Sequence, residues 1–379
     1  MYLKLCSKTK RKNLTPRGLS YNSKALGVEH MAMKYFTDAN SAAGYVSLQK
    51  ENLTGITKIY HLESPDDKLV HNLLEQISLT LTSRGLTPEY ICSAFNPEYL
   101  SGLVIRELAI AFTSGEIVTA DAHLTCLKSV YDMSKIKKNA GEIERLSTEM
   151  KRFYKKMSTH FKRALHIHDE WEKIYVDRMD LKKANKFNED LLVQLFNTKI
   201  PTSGLESQLV YRFFGTSTPE GLRDFIPELT SGLKRYFIKG RPGSGKSTLM
   251  KEVVKKAVEL GYDVDIYRCA LDPKSLDMVV VPELSFCLFD ATAPHEYDAV
   301  FTNDEIIDTY SAFIKDGTDE RCADILEDIE ARYKNQIGLA LEAMKEGHVR
   351  RAMLSDIYSD ALLPDKFDNM LNKLVSKCE

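Results

Sequence analysis

Nine consecutive residues carry a pattern with a chemical meaning: Gly240, Arg241, Pro242, Gly243, Ser244, Gly245, Lys246, Ser247 and Thr248 fit G-x-x-x-x-G-K-[ST]. An oligophosphate brings several negative charges, so a loop that holds it must present backbone N–H groups at close range. Glycines let the chain turn where a Cβ would collide. A helix starting near Lys246 adds the positive end of its dipole. Lys246 is then placed to reach the β- and γ-phosphates, the Ser247 hydroxyl to ligate Mg²⁺ and Thr248 to touch the α-phosphate. The expected ligand is a nucleoside triphosphate, ATP with Mg²⁺.

Such a loop works with an acidic residue at the end of a neighbouring strand, which holds the metal directly or through water. Asp290, closing the run Phe286–Phe289, is the preferred residue, and Lys246 and Asp290 are the expected catalytic pair. Asp272 and Asp277 flank the preceding strand and are its rivals. His295 follows closely and could orient a substrate, while Arg241 and Arg268 could stabilise transferring phosphate. His166 and His168 lie two apart on a helix and face different sides, so they are read as solvated or packed histidines. The segment Asn185–Asn188, NKFN, lacks the aspartate of a guanine-reading NKxD and gives no support to GTP.

The elements that must position these groups follow from periodicity. Lys234–Ile238 and Asp263–Tyr267 read as short strands, and Leu249, Val253, Ala257 and Leu260 recur at helical spacing between them. Two further apolar runs, MVVVP and SFCLFD, supply more strands. A strand–helix–strand order predicts parallel pairing and an α/β sheet. Beyond the strands, Ile143, Leu146, Met150, Phe153, Met157, Phe161 and Leu165, and later Ile325, Ile329, Tyr333, Ile337, Leu341 and Met344, predict two long helices.

Sliding the chain against itself by 176 positions lays residues 58–112 on 234–288 with 10 identities in 55 positions, against about three expected from composition. Lys58/Lys234, Gly85/Gly261, Pro97/Pro273 and Glu107/Glu283 are among them. The prediction is a tandem duplication of one parallel-sheet phosphate-loop domain, each unit ending in a helical arm. Residues 33–208 form unit one and residues 209–379 unit two. Opposite Gly240, Gly243, Gly245, Lys246, Ser247 and Asp290 stand Ser64, Asp67, Leu69, Val70, His71 and Ser114, so unit one is a degenerate copy. Glu283, matched by Glu107 there, reads as structural. The offset also sets Ala164-Leu165 on Ala340-Leu341.

Bulk properties narrow the partners. With 43% hydrophobic and 28% charged residues the chain has a globular composition, and a net charge of −2 gives no drive toward nucleic acid. No apolar run is long enough to span a bilayer. Seven scattered cysteines, none in a CxxC pair, suggest neither a disulfide framework nor zinc and suit a reducing cytoplasm. Residues 1–32 form a basic extension, without Asp or Glu up to residue 28. It is read as a frayed tail or as sequence ahead of a start at Met31 or Met33, with an organelle transit peptide as the other reading.

On the loop, the segments DPKSLDMVVVPEL and FDATAPH and the 176-residue repeat, the chain resembles a poorly characterised bacterial family of two-unit P-loop ATPases within the P-loop NTPase superfamily. The resemblance covers about Met33 to the end. It implies ATP binding, hydrolysis and a cytoplasmic setting, with a protein or small-molecule partner that it does not identify. Family members can carry a glycine-rich loop in both units, and LESPDDKLVHN here does not. The leading expectation is an Mg²⁺-dependent ATPase whose first unit is a structural or regulatory partner. The others are a phosphotransferase acting on a small molecule or nucleotide, with Arg350 and Arg351 as lid residues, and a nucleotide-gated scaffold.

Overall fold

The computed structural model describes residues 32–116, 121–197 and 206–379. The basic extension lies, but for Ala32, outside them. Unit one runs β1 (Lys34–Tyr35), β2 (Asp38–Ser41), β3 (Gly44–Ser47), α1 (Gln49–Asn52), β4 (Lys58–Glu63), α2 (Asp67–Ser83), β5 (Glu89–Cys92), β6 (Leu100–Ile105), β7 (Ile110–Thr113), β8 (His123–Cys126), α3 (Met133–Lys138), α4 (Ala140–Val176) and α5 (Leu181–Phe196). Unit two runs β9 (Leu209–Arg212), β10 (Gly215–Thr218), β11 (Gly221–Asp224), α6 (Ile226–Leu229), β12 (Lys234–Lys239), α7 (Lys246–Glu259), β13 (Val264–Arg268), β14 (Leu276–Val281), β15 (Phe286–Asp290), β16 (Glu305–Asp308), α8 (Thr309–Phe313), α9 (Thr318–Arg321), α10 (Ala323–Asp360) and α11 (Pro364–Val375).

Each unit builds a six-stranded sheet in the same order, β1-β5-β6-β7-β4-β8 and β9-β13-β14-β15-β12-β16. Fine details repeat too. Ala109 and Ser285, 176 apart, both take positive φ at the tight turn between two strands, and both sheets carry a bulge, after Ile91 and after Tyr267. Glu107 accepts the Thr87 N–H and Glu283 the Asp263 N–H, which gives the retained glutamates the structural task expected of them.

The sheets are mixed, not parallel. β12 pairs in parallel with β15 and β16, but β14 is antiparallel to both of its neighbours, β13 and β15. The strands expected to pair directly, β12 and β13, run in the same direction with β15 and β14 between them. The reason is connection length. Only Pro282–Ser285 separates β14 from β15, too few residues for a crossover, so the chain must fold back on itself. Helix α7 still crosses from β12 to β13 as its periodicity requires, burying Leu249, Val253 and Ala257.

Alternation along the strands serves two cores. In unit two Phe237, Met278, Val280, Cys287 and Phe289 face a central core shared with Tyr35, Phe36, Ile91 and Val104 of unit one. Tyr236, Ile238, Val279, Val281 and Leu288 face α7 on the other side. Between the units Phe36 and Phe213 exchange backbone hydrogen bonds of 2.9 and 2.8 Å.

Helices α4 and α10, each about 55 Å long at 1.5 Å per residue, lie antiparallel along each other. His160 meets Gln336 near the middle (2.9 Å), and Glu170–Arg332 and Glu149–Arg350 flank it. Here the correspondence between units is 183 residues, not 176: the bridge Tyr131–Leu362 mirrors Ile314–Met179. Ala164 and Ala340 are both buried but are not equivalent by that count.

After the arms the units trade helices. Leu191, Leu195 and Phe196 of α5 complete the outer core of unit two. Leu374 of α11, with Phe367, Met370 and Leu371, packs on Leu62, Leu69 and Leu73 of unit one. Among the described residues no helix is long and apolar enough to cross a membrane.

Candidate functional site

The loop between β12 and α7 is held from three sides. Ser244, 1% exposed, shares a 2.8 Å hydrogen bond with Thr309, whose hydroxyl also donates to the Lys239 carbonyl. A Cβ on Gly240 would fall 2.2 Å from Thr309 Oγ1. Gly243 takes φ +74 and lies so close to the unit-one arm that a Cβ would come 2.4 Å from the Glu172 carbonyl oxygen. Gly245, at φ +84, precedes the first residue of α7, Lys246.

The expected pair is brought together. Lys246 is buried; its ammonium donates to the Arg241 carbonyl at 3.0 Å and stands 3.5 Å from Asp290 Oδ2. Asp290 Oδ1 accepts the Thr292 N–H at 3.0 Å. The Ser247 hydroxyl accepts the Leu276 N–H at 3.0 Å, which leaves a lone pair and its own proton for other partners. Thr248 is exposed on the first turn of α7 and Pro242 is half-buried in the loop.

Of the two rivals to Asp290, one joins it. In the antiparallel register Met278 faces Phe289, so Asp277 and Asp290 come side by side one residue further on. Burial first, and then the charge of Asp290, push the Asp277 carboxyl up to about 6. Burial likewise drives the neighbouring Cys269 thiol well above its ordinary range, with Asp277 adding to the effect. Asp272 instead closes a turn, accepting from Lys274 N–H (3.3 Å) and the Ser275 hydroxyl (3.1 Å).

The other candidates divide. Arg241 turns away from the loop to Asp319 at 2.7 Å, an aspartate that also accepts from Tyr175 on the arm. Arg268 lies over the Tyr211 ring. Arg351 pairs with Asp67 and Tyr154, and Arg350 with Glu149 and Glu346, so both belong to the far end of the arms. His295 is better placed: its Nδ1 lies 3.2 Å from Asp224 Oδ2, while Tyr297 donates to the other oxygen at 2.7 Å. With Nδ1–H given to Asp224, Nε2 is the acceptor.

His168 is a packed histidine, as expected, its ring centre 6.1 Å from that of Tyr333 on α10. It sits on α4 one turn before Glu172, 3.7 Å from that carboxylate, and burial, with Lys246 contributing, lowers its pKa. His166 is exposed. Asp224, Tyr297, Glu172, Thr309 and Asp319 were not singled out from sequence. All lie outside the loop–strand unit, and only Thr309 and Asp319 carry even a weak signal, as first-turn residues of two short helices.

The available donors are hard oxygens, Ser247, Asp290 and Asp277, with the two carboxylates adjacent and one resisting ionisation. A small divalent cation suits that set. Compared with known protein families, with curated proteins and with solved structures, the chain gives no match.

Proposed function

We propose that the chain is a nucleoside triphosphatase: unit two binds ATP at Gly240–Thr248 and hydrolyses it with Mg²⁺, and unit one serves as a non-hydrolysing structural or regulatory partner. One observation carries the reading. A glycine loop stands between an interior strand and a helix N-terminus, with a buried lysine facing the carboxylate at the end of the adjoining strand. The loop's N–H groups and the helix dipole favour the phosphates, and Lys246 compensates charge at the β- and γ-positions. Ser247 and Asp290, with Asp277 beside them, would hold the Mg²⁺, which when bound neutralises phosphate oxygens. The Glu172 backbone on the unit-one arm lies against this loop at Gly243, and His168 one turn earlier senses the Lys246 charge, so on this reading the non-hydrolysing unit contributes a wall of the site.

The test is Lys246→Ala. Nucleotide binding, followed by fluorescence of a labelled ATP, is expected to fall at least about a hundredfold, as follows when a charge-assisted phosphate contact and its buried partner are lost together. Phosphate release is expected to stop. Unchanged hydrolysis by a folded K246A chain would sink the reading.

Transfer of the γ-phosphate to a small-molecule acceptor is favoured by one feature, the Asp224–His295 dyad, which could take a proton from an acceptor hydroxyl. Acceptor-stimulated ADP release that His295→Gln abolishes, with basal hydrolysis kept, would select this second reading.

A further inference from the structure

A cavity of about 240 Å³ opens at the unit-one counterpart of the glycine loop, and a second of about 340 Å³ adjoins it, sharing Asp67, Val70, Ser114 and Gly115. These positions match Gly243, Lys246, Asp290 and Ala291 in unit two, so a hollow stands where the phosphate loop would be, and every phosphate-handling group has changed. What replaced them is charge of the opposite sense. The first cavity is lined by three carboxylates, Asp38, Asp67 and Glu116, against one guanidinium, Arg351.

That guanidinium is already engaged. It pairs with Asp67 and lies 4.0 Å above the Phe95 ring. Asp38 has one oxygen left over. It is 3% exposed, Oδ2 accepts from the Thr37 hydroxyl at 3.3 Å, the Tyr45, Ser47 and Gln49 side chains stand around the carboxylate, and Oδ1 closes no hydrogen bond of good geometry among the described residues. A buried carboxylate oxygen without a donor is costly unless something supplies one. Beside it Tyr45 and Phe95 stack in parallel, ring centres 5.6 Å apart, forming an aromatic wall.

We propose that unit one binds a small organic cation, a primary alkylamine or diamine, whose ammonium donates to Asp38 Oδ1 and whose carbon chain lies along Tyr45 and Phe95. The volume suits few heavy atoms. Net negative lining repels phosphate and other anions, whereas an ammonium has three donors to share between Asp38 and the neighbouring serine hydroxyls. An aromatic face attracts a cation further. The eroded half of the molecule is on this reading a ligand sensor, and the inference stands independently of ATP hydrolysis by unit two.

Three four-carbon probes of equal length separate the charge types: 1,4-diaminobutane, 1,4-butanediol and succinate, titrated into the full chain by calorimetry. Saturable binding of one diamine per chain is expected, without binding of the diol or of succinate. Asp38→Asn should weaken it about tenfold or more, the cost of a lost charge-assisted hydrogen bond. Glu116→Gln, on the exposed rim, should weaken it about two- to threefold and reduce its salt dependence. Lys246→Ala should leave it unchanged, so failure here and failure of the ATP reading are told apart. The proposal is overturned by absence of diamine binding, by equal binding of the diol or succinate, or by an affinity that moves in neither variant. Melting curves of both variants report folding, and Glu116→Gln alone decides if Asp38→Asn does not fold.

Discussion

Asp277 and Asp290 stand side by side at the ends of two antiparallel strands, within reach of one lysine. Two carboxylates so placed do not ionise independently, and here burial puts the burden on Asp277, whose pKa rises from 3.8 to about 6. Between about pH 4 and pH 6 the unfolded chain gives up this proton before the folded one does, so this group's contribution to stability falls as pH rises through that window and is level above it. Asp277→Asn removes the fall. The variant should be more stable than the parent at pH 7.5 by about 1–3 kcal/mol, equal to it near pH 4, and impaired in Mg²⁺-dependent turnover. Urea midpoints at the two pH values check this; a less stable variant at pH 7.5 would mean that Lys246 holds Asp277 ionised. At this scale the sequence was most informative where chemistry is local. Lys246, Ser247 and Asp290 were legible because a loop, a helix start and a strand end fix them within about fifty residues of chain. Asp277 was visible only as a rival, because its place opposite Asp290 depends on a strand register. Asp224 was invisible, since only the fold brings it to His295.

The arms extend the argument to elements. Their apolar stripes predicted two long helices correctly, but a stripe does not state what covers it. The structure gives the answer at Gly347, where the Tyr154 ring fills the space of a side chain: a Cβ there would come 2.8 Å from Tyr154 Cε1. Gly347→Leu should splay the two arms, lowering stability by about 1–3 kcal/mol through overpacking and speeding hydrogen exchange in α4 and α10 together. Exchange confined to α10 would show that the arms open independently. Mixed pairing escaped the sequence for a related reason: hydrophobic period identifies a strand but not its neighbour, and the informative residues were the few in the Pro282–Ser285 turn. His168 is packed, as its place on a helix suggested; the nearby Lys246 charge was not legible, because Lys246 lies far along the chain.

At the scale of the whole molecule, the units are joined by charge as well as by the shared core. Glu89 of unit one receives Arg106 at 2.6 Å, Tyr35 at 2.7 Å and Arg212 of unit two at 3.4 Å, while Arg212, 1% exposed, lies 2.6 Å from Asp265. Burial works to raise the Glu89 pKa, yet Arg106 and then Arg212 hold it down at about 2. Its stabilising contribution is therefore complete above the ordinary glutamate range and is lost as pH falls toward 2. Glu89→Gln leaves Arg106 without its carboxylate and Arg212 with Asp265 alone, and should cost about 3–5 kcal/mol, with cooperative melting of both units at a lower temperature. Two separate transitions would show that the network does not join them. The repeat made the existence of two units legible, since like sequences bury like faces; the trading of α5 and α11 was not, because either helix suits either sheet by composition. That exchange bears on how the chain is made. The outer face of the first sheet cannot be sealed until Leu374 has left the ribosome, so the first-synthesised half must wait, apolar side chains uncovered, through the synthesis of the second. Assembly in order of synthesis, common for tandem domains, is closed to this one, and its contacts of greatest sequence separation are the last that can form.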